Sequence, residues 1–228
     1  MNEEIKALVF DLDDTLHDLR KYTFSSFYYV AHQLSKETGF DWASLYLAMC
    51  KHYDEAWWRS KIFNRLLEAL GIPEVEGLVS QCKVWFHEAG HKDESLFQDT
   101  ISVLHLLKGR YRLGLLVDGH EERQRKKLRE LNIDNYFDDV VIVEGADEKP
   151  SPKGFIQISQ ALNVQPVAVL FVGDNPYRDM MGALSLDMQV AWMRGNSVWA
   201  MKELPPQLFT KPIFEMYQLA DVFKILKN

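Results

Sequence analysis

Apolar residues gather into short runs at positions 5–10, 113–117, 140–144, 167–172 and 189–193. Runs of this length, bounded by polar or turn-forming residues, fit strands buried on both faces, as in a parallel sheet. Between the later runs, residues 121–131, 152–162 and 179–186 repeat apolar positions at helical spacing. Strands and helices alternating in this order predict a doubly wound α/β core, with five parallel strands and helices on both faces.

Residues 18–95 break the alternation: they are rich in aromatics and helix formers, contain no clear strand, and are punctuated at Gly39-Phe40-Asp41, Gly71-Ile72-Pro73 and Gly90. Four helices fit this stretch. The predicted organisation is therefore an α/β core from residues 1–17 and 96–228, with a helical domain, 18–95, inserted after the first strand. Hinges fall near residues 17–20 and 91–97, and the tail from 205 to 228 packs back on the core.

The first strand run ends in Asp11, Asp13 and Asp14, followed by Thr15. Acidic residues beside a turn often only cap the next helix. Three acids within four residues repel one another, however, and Mg2+ with its oxygen ligands is the natural cation to hold them together. The carboxyl end of a strand is also where open α/β sheets place their ligands. Downstream, Lys149-Pro150 and the run Gly173-Asp174-Asn175-Pro176-Tyr177-Arg178-Asp179 add a lysine and a second acidic pair at another strand exit.

In these motifs the chain resembles the haloacid dehalogenase superfamily, whose phosphatases carry Asp-x-Asp-x-Thr, a small hydroxyl residue, a lysine, and a Gly-Asp with a further acid. The resemblance covers nearly the whole chain in the expected order. It implies a Rossmann-like core, a helical cap formed by residues 18–95, and a Mg2+-dependent phosphatase acting on a small phosphorylated metabolite, such as a sugar phosphate or nucleoside monophosphate. Asp11 matches the nucleophile that forms an aspartyl phosphate, and Asp13 matches the general acid and base. The metal would sit among the Asp11 carboxylate, the Asp13 carbonyl, Asp174 and Asp179, and Lys149 would stabilise nucleophile and phosphate. Leu12, Asp13, Thr15, Val117, Asp118, Gly119 and Lys149 would line the phosphate. Two residues along an extended strand separate side chains, so the strand is expected to break at Leu12 and swing Asp13 over the site.

One motif departs from the pattern. Where the superfamily has Thr or Ser followed by Asn-Gly, this chain has Val117-Asp118-Gly119. Valine lacks the hydroxyl, and a hydrogen bond to a charged group is worth roughly 1.5–3 kcal/mol, or about 10- to 150-fold. The backbone amides of Asp118 and Gly119 remain as phosphate donors, and Asp118 adds repulsion if it points inward. A phospho-ligand-binding regulator that has lost turnover is the alternative on the same fold, and a phosphomutase shares the chemistry. Dehalogenation fits less well, because that branch lacks the acid at the place of Asp13. Specificity is assigned to the helical domain, where Tyr22, Phe24, Phe27, Tyr28, Tyr46, Trp57 and Trp58 are core formers or a platform for substrate.

A net charge of −7 disfavours nucleic acid and anionic membranes as partners, and the basic run at residues 123–129, framed by glutamates, reads as the solvated face of a helix. No targeting segment or membrane span is visible, which points to a cytoplasmic protein. Cys50 and Cys82 show no metal-ligand or disulfide spacing. His87-Glu88-Ala89-Gly90-His91 matches the zinc-peptidase pattern, but Gly90 weakens the helix it needs and no third ligand follows at a familiar spacing. A bacterial receiver domain uses similar residue types on a similar sheet, but in a chain about half as long.

Overall fold

A computed structural model describes residues 3–55, 61–72, 77–90, 96–195, 206, 208 and 212–227. The chain divides into two units, Met1–Asp18 with Leu96–Asn228, and Leu19–Ser95.

The first unit is built on a six-stranded, all-parallel sheet in the order β3-β2-β1-β4-β5-β6. Its strands are β1 (Ala7–Phe10), β2 (Arg112–Asp118), β3 (Asp139–Val143), β4 (Val169–Gly173), β5 (Gln189–Met193) and β6 (Ile213–Met216). Successive side chains of a strand face opposite sides, so each apolar run feeds two cores. On one face Leu8, Phe10, Leu113, Leu115, Val117, Leu170 and Val172 pack with α5 (Thr100–Leu107), α6 (Glu121–Leu131) and α9 (Val222–Ile225). On the other, Ala7, Val9, Leu116, Val169 and Phe171 pack with α7 (Pro152–Ala161) and α8 (Met181–Leu184). Gly114 has no side chain because α7 passes so close: a Cβ there would lie 2.9 Å from Ile158 and Leu162.

The sixth strand departs from the expected five. β6 is short and half-covered at the sheet edge, so it lacks the unbroken apolar run that marks the inner strands. β4 begins at Val169 rather than 167, since Pro166–Ala168 forms a 3-10 turn. The helix expected over 179–186 is a single π-type turn, Pro176–Met180, leading into α8. Asn175 starts that turn, its Oδ1 accepting the N–H groups of Tyr177 and Arg178 at 3.0 and 3.2 Å.

The second unit holds α1 (Leu19–Thr38), α2 (Trp42–Glu55), α3 (Ile62–Ala69) and α4 (Leu78–Gly90). Its core joins Phe27, Val30 and Leu34 of α1, Leu45 and Met49 of α2, Phe63 and Leu66 of α3, and Cys82 of α4. Phe86 centres an aromatic cluster, 5.6–6.1 Å from Tyr22, Phe27 and Phe63. Tyr22 and Phe27 are thus packing residues, whereas Tyr28 is half exposed. Trp57, Trp58 and His91 lie outside the described residues. In the α/β unit, the chain is pinned where it leaves and returns: Phe97 N–H and Thr100 Oγ1 both donate to Leu16 O, each at 3.0 Å.

Candidate active site

The site forms at the carboxyl ends of β1, β2 and β4, the central strands of the sheet. β1 stops at Phe10, and the Asp11 N–H donates to Val172 O of β4 at 2.9 Å, holding Asp11 on the sheet edge. A tight loop follows. Leu12 O accepts from the N–H groups of Leu16 and His17 at 2.9 and 3.0 Å, and Asp14 takes a left-handed conformation at φ 60°. Aspartate tolerates that region better than most side chains.

Asp174 leaves the end of β4, its backbone carbonyl receiving the buried Trp192 indole N–H at 2.8 Å. Asp179 returns to it from within the π-type turn, its Oδ2 accepting from Asn175 N–H at 3.0 Å. Gly173 is required there, because a Cβ would lie 2.5 Å from Asp179 Oδ2. Asp11, Asp174 and Asp179 are all buried and offer ligand oxygens within 4.8 Å of one another, the one such group among the described residues. Three buried carboxylates so close need a cation, and an all-oxygen donor set suits Mg2+.

Lys149 arrives from the loop after β3. Its ammonium lies 2.5 Å from Asp11 Oδ1, 2.8 Å from Asp179 Oδ1 and 3.9 Å from Asp118 Oδ2. Burial by itself would lower its pKa, but Asp11, Asp179 and Asp118 outweigh burial, so the ammonium stays charged well above the usual lysine range. Asp11 is pushed up to about 7, first by burial and then by Asp179, against the opposing pull of Lys149.

The Asp13 carboxylate meets His17 Nδ1 at 2.8 Å and the Lys127 ammonium at 3.0 and 3.1 Å. Burial opposes its ionisation, yet Lys127 and His17 hold it well below the usual carboxylate range. Lys127 thereby corrects the reading of residues 123–129 as wholly solvated. It shares the inward stripe of α6 with buried Gln124, Leu128 and Leu131, a spacing visible in the sequence.

At the second motif, Val117 is buried in the apolar core. Gly119 N–H donates to Val143 O at 2.8 Å, so this amide belongs to the sheet and is not free for phosphate as expected. Asp118 does point inward. Burial raises its pKa against the pull of Lys149, and its charge is met by Lys149 N–H at 2.9 Å and Arg178 Nη2 at 2.8 Å. Thr15 is fully buried, its hydroxyl unpartnered among the described residues, and the Leu12 side chain lies in the core. His87 of the H-E-x-x-H match is exposed on α4.

Sheet order, acid placement and buried lysine define a class of hydrolase. A family model for haloacid dehalogenase-like hydrolases matches residues 8–193, and the chain belongs to that family. It is similar to glyceraldehyde 3-phosphate phosphatase of Pyrococcus abyssi, 29% identical with 98% of this chain and 94% of the relative covered. It also resembles human N-acylneuraminate-9-phosphatase, 26% identical over 93% of this chain and 92% of that one. Among solved structures, magnesium-bound YfnB of Bacillus subtilis, described as a HAD-hydrolase, shares the fold with a TM-score of 0.73 at 18% identity, covering 99% of this chain and all of that one. Among the described residues no helix is long and apolar enough to cross a membrane.

Proposed function

We propose that this protein is a Mg2+-dependent phosphatase that hydrolyses a small phosphorylated metabolite through an aspartyl phosphate on Asp11. The observation that carries the reading is the meeting of Asp11, Asp174 and Asp179 around one point, with Lys149 paired to both Asp11 and Asp179. Asp11, Asp174 and Asp179, with the Asp13 carbonyl, would hold Mg2+, which when bound supplies charge neutralisation between nucleophile and phosphate. The relatives named as phosphatases favour turnover over the non-catalytic regulator, and magnesium in YfnB favours that metal.

In the proposed reaction an Asp11 carboxylate oxygen attacks phosphorus as the bond to the leaving oxygen breaks. Lys149 orients the Asp11 carboxylate and faces the incoming phosphate with a permanent positive charge. Asp13, once clear of Lys127 and His17 and protonated from solvent, gives that proton to the leaving oxygen. It then takes one from the water that attacks the aspartyl phosphate, releasing inorganic phosphate and restoring Asp11. To do so Asp13 must exchange its Lys127 and His17 contacts for the substrate. The α/β machinery addresses only the phosphoryl group, so we assign discrimination among substrates to the helical unit, Leu19–Ser95, as a cap. Two relatives that act on carbohydrate-type phosphates make such esters the first panel to try.

The test is phosphate release from sugar phosphates, nucleoside monophosphates and an aryl phosphate, comparing native protein with Asp11→Asn. Mg2+-dependent activity that disappears in the variant is expected. Unchanged release after Asp11→Asn would end the proposed mechanism.

A further inference from the structure

We propose that Arg178 is a positioning residue for Lys149: it neutralises Asp118 and grips the Lys149 backbone, which keeps the ammonium on Asp11. This deepens the phosphatase reading and rests on it. A carboxylate at residue 118, where the superfamily pattern has an amide, creates a problem that Arg178 resolves.

The geometry is specific. Asp118 Oδ1 accepts the Lys149 backbone N–H at 2.9 Å. Asp118 Oδ2 faces two cations, Arg178 Nη2 at 2.8 Å and Lys149 Nζ at 3.9 Å. Left alone, Oδ2 would compete with Asp11 and Asp179 for the ammonium that they hold at 2.5 and 2.8 Å. The guanidinium satisfies Oδ2 first. Its Nε also donates to Lys149 O at 3.1 Å, and Nη2 reaches Glu148 Oε2 at 2.9 Å. Lys149 is therefore held at its own N–H by Asp118 and at its own C=O by Arg178. Arginine suits the task because its planar fork serves several acceptors at once and its charge is permanent.

A purely structural Arg178 would tie down the loop whatever stands at residue 118. Charge compensation instead makes the two positions interdependent, which a double-mutant cycle reads directly. The variants are Arg178→Gln, Asp118→Asn and both together, each first checked for native melting. The assays are kcat and KM for Mg2+-dependent aryl phosphate hydrolysis, and the Lys149 ammonium resonance in 15N-lysine-labelled protein, assigned with Lys149→Arg. Arg178→Gln is expected to lower kcat by about tenfold or more in the native background, the scale of one displaced charged contact. In the Asp118→Asn background the same change should cost about threefold or less, because the competing charge is gone.

The ammonium resonance should move in Arg178→Gln and return toward its native position in the double variant. Equal losses of kcat in both backgrounds, or a resonance indifferent to Arg178→Gln, would overturn the proposal. If Arg178→Gln does not fold, Arg178→Met, which also removes the charge, is read in the same two backgrounds under the same criteria. If release proves independent of Asp11 the phosphatase reading falls, while the resonance still decides the role of Arg178.

Discussion

Replacing Lys149 by methionine removes the cation from the buried carboxylates at the end of the sheet. The Lys149 side chain is 3% exposed and its partners Asp11 and Asp179 are 11% and 2% exposed, so solvent does little to screen the loss. Breaking a buried pair from one side costs roughly 3–5 kcal/mol. At about 2–4 °C per kcal/mol for a chain of this size, the metal-free variant should melt about 6–20 °C below native protein at pH 8.

The deficit must depend on pH with a definite sign. Asp11 has a folded pKa near 7 against an ordinary value of 3.8, so between those values the folded protein holds a proton that the unfolded chain releases. Its contribution to stability therefore falls as pH rises through that window. Without Lys149, which pulls the Asp11 pKa down, the folded value climbs further. The deficit should then shrink at pH 5.5 and widen at pH 8. Millimolar Mg2+ should raise the melting temperature of the variant more than that of native protein, because a cation regains the vacated role. Scanning calorimetry at both pH values, with and without Mg2+, reads all of this. A variant melting within about 2 °C of native protein at pH 8 without metal, on the scale just used, would refute the assignment of Lys149 as the countercharge.

Three further outcomes follow from the same geometry. Gly173→Ala places a Cβ 2.5 Å from Asp179 Oδ2, so Asp179 must move; Mg2+ affinity by calorimetric titration should weaken about 10- to 100-fold. Val117→Thr adds a hydroxyl at the end of β2 and should raise kcat/KM for the aryl phosphate by about tenfold or more, if that hydroxyl reaches phosphate as the superfamily pattern implies; unchanged kcat/KM would show that it does not. Lys127→Met removes a cation that holds the Asp13 pKa down, and such a carboxylate contributes its full stabilisation above its unfolded pKa and loses it as pH falls from there toward the depressed folded value. The variant should thus melt below native protein at pH 7, with the gap closing as melts are taken at pH values falling below the ordinary aspartate pKa of 3.8.

The inner strands were legible because nearly all of their length is buried: β5 spans the predicted 189–193, β1 lies within its predicted run, and β4 overlaps its own from Val169 and ends one residue beyond it, at Gly173. α6 likewise matches its predicted 121–131, since a one-sided apolar stripe is a local property. β6 was not legible, because a four-residue edge strand with half-exposed side chains carries no such run.

Candidate chemistry divided in the same way. Asp11, Lys149, Asp174 and Asp179 stood out by residue type and motif spacing, and the fold brings all four together. Charges and hydrogen-bonding groups on neighbouring residues announced nothing of their partners. Lys149 meets Asp11 across 138 residues of chain and Lys127 meets Asp13 across 114, separations that no local pattern encodes. By itself the sequence determined which residues end buried strands and which acids crowd the first turn, because periodicity and charge repulsion act over a few residues. Only the tertiary structure decided where each charge finds its counterion: Asp13 on Lys127 and His17, Asp118 on Arg178, and the Gly119 amide on Val143. A parallel sheet sets side by side strand ends that lie far apart in the chain, and the pairing that best offsets their desolvation is settled there.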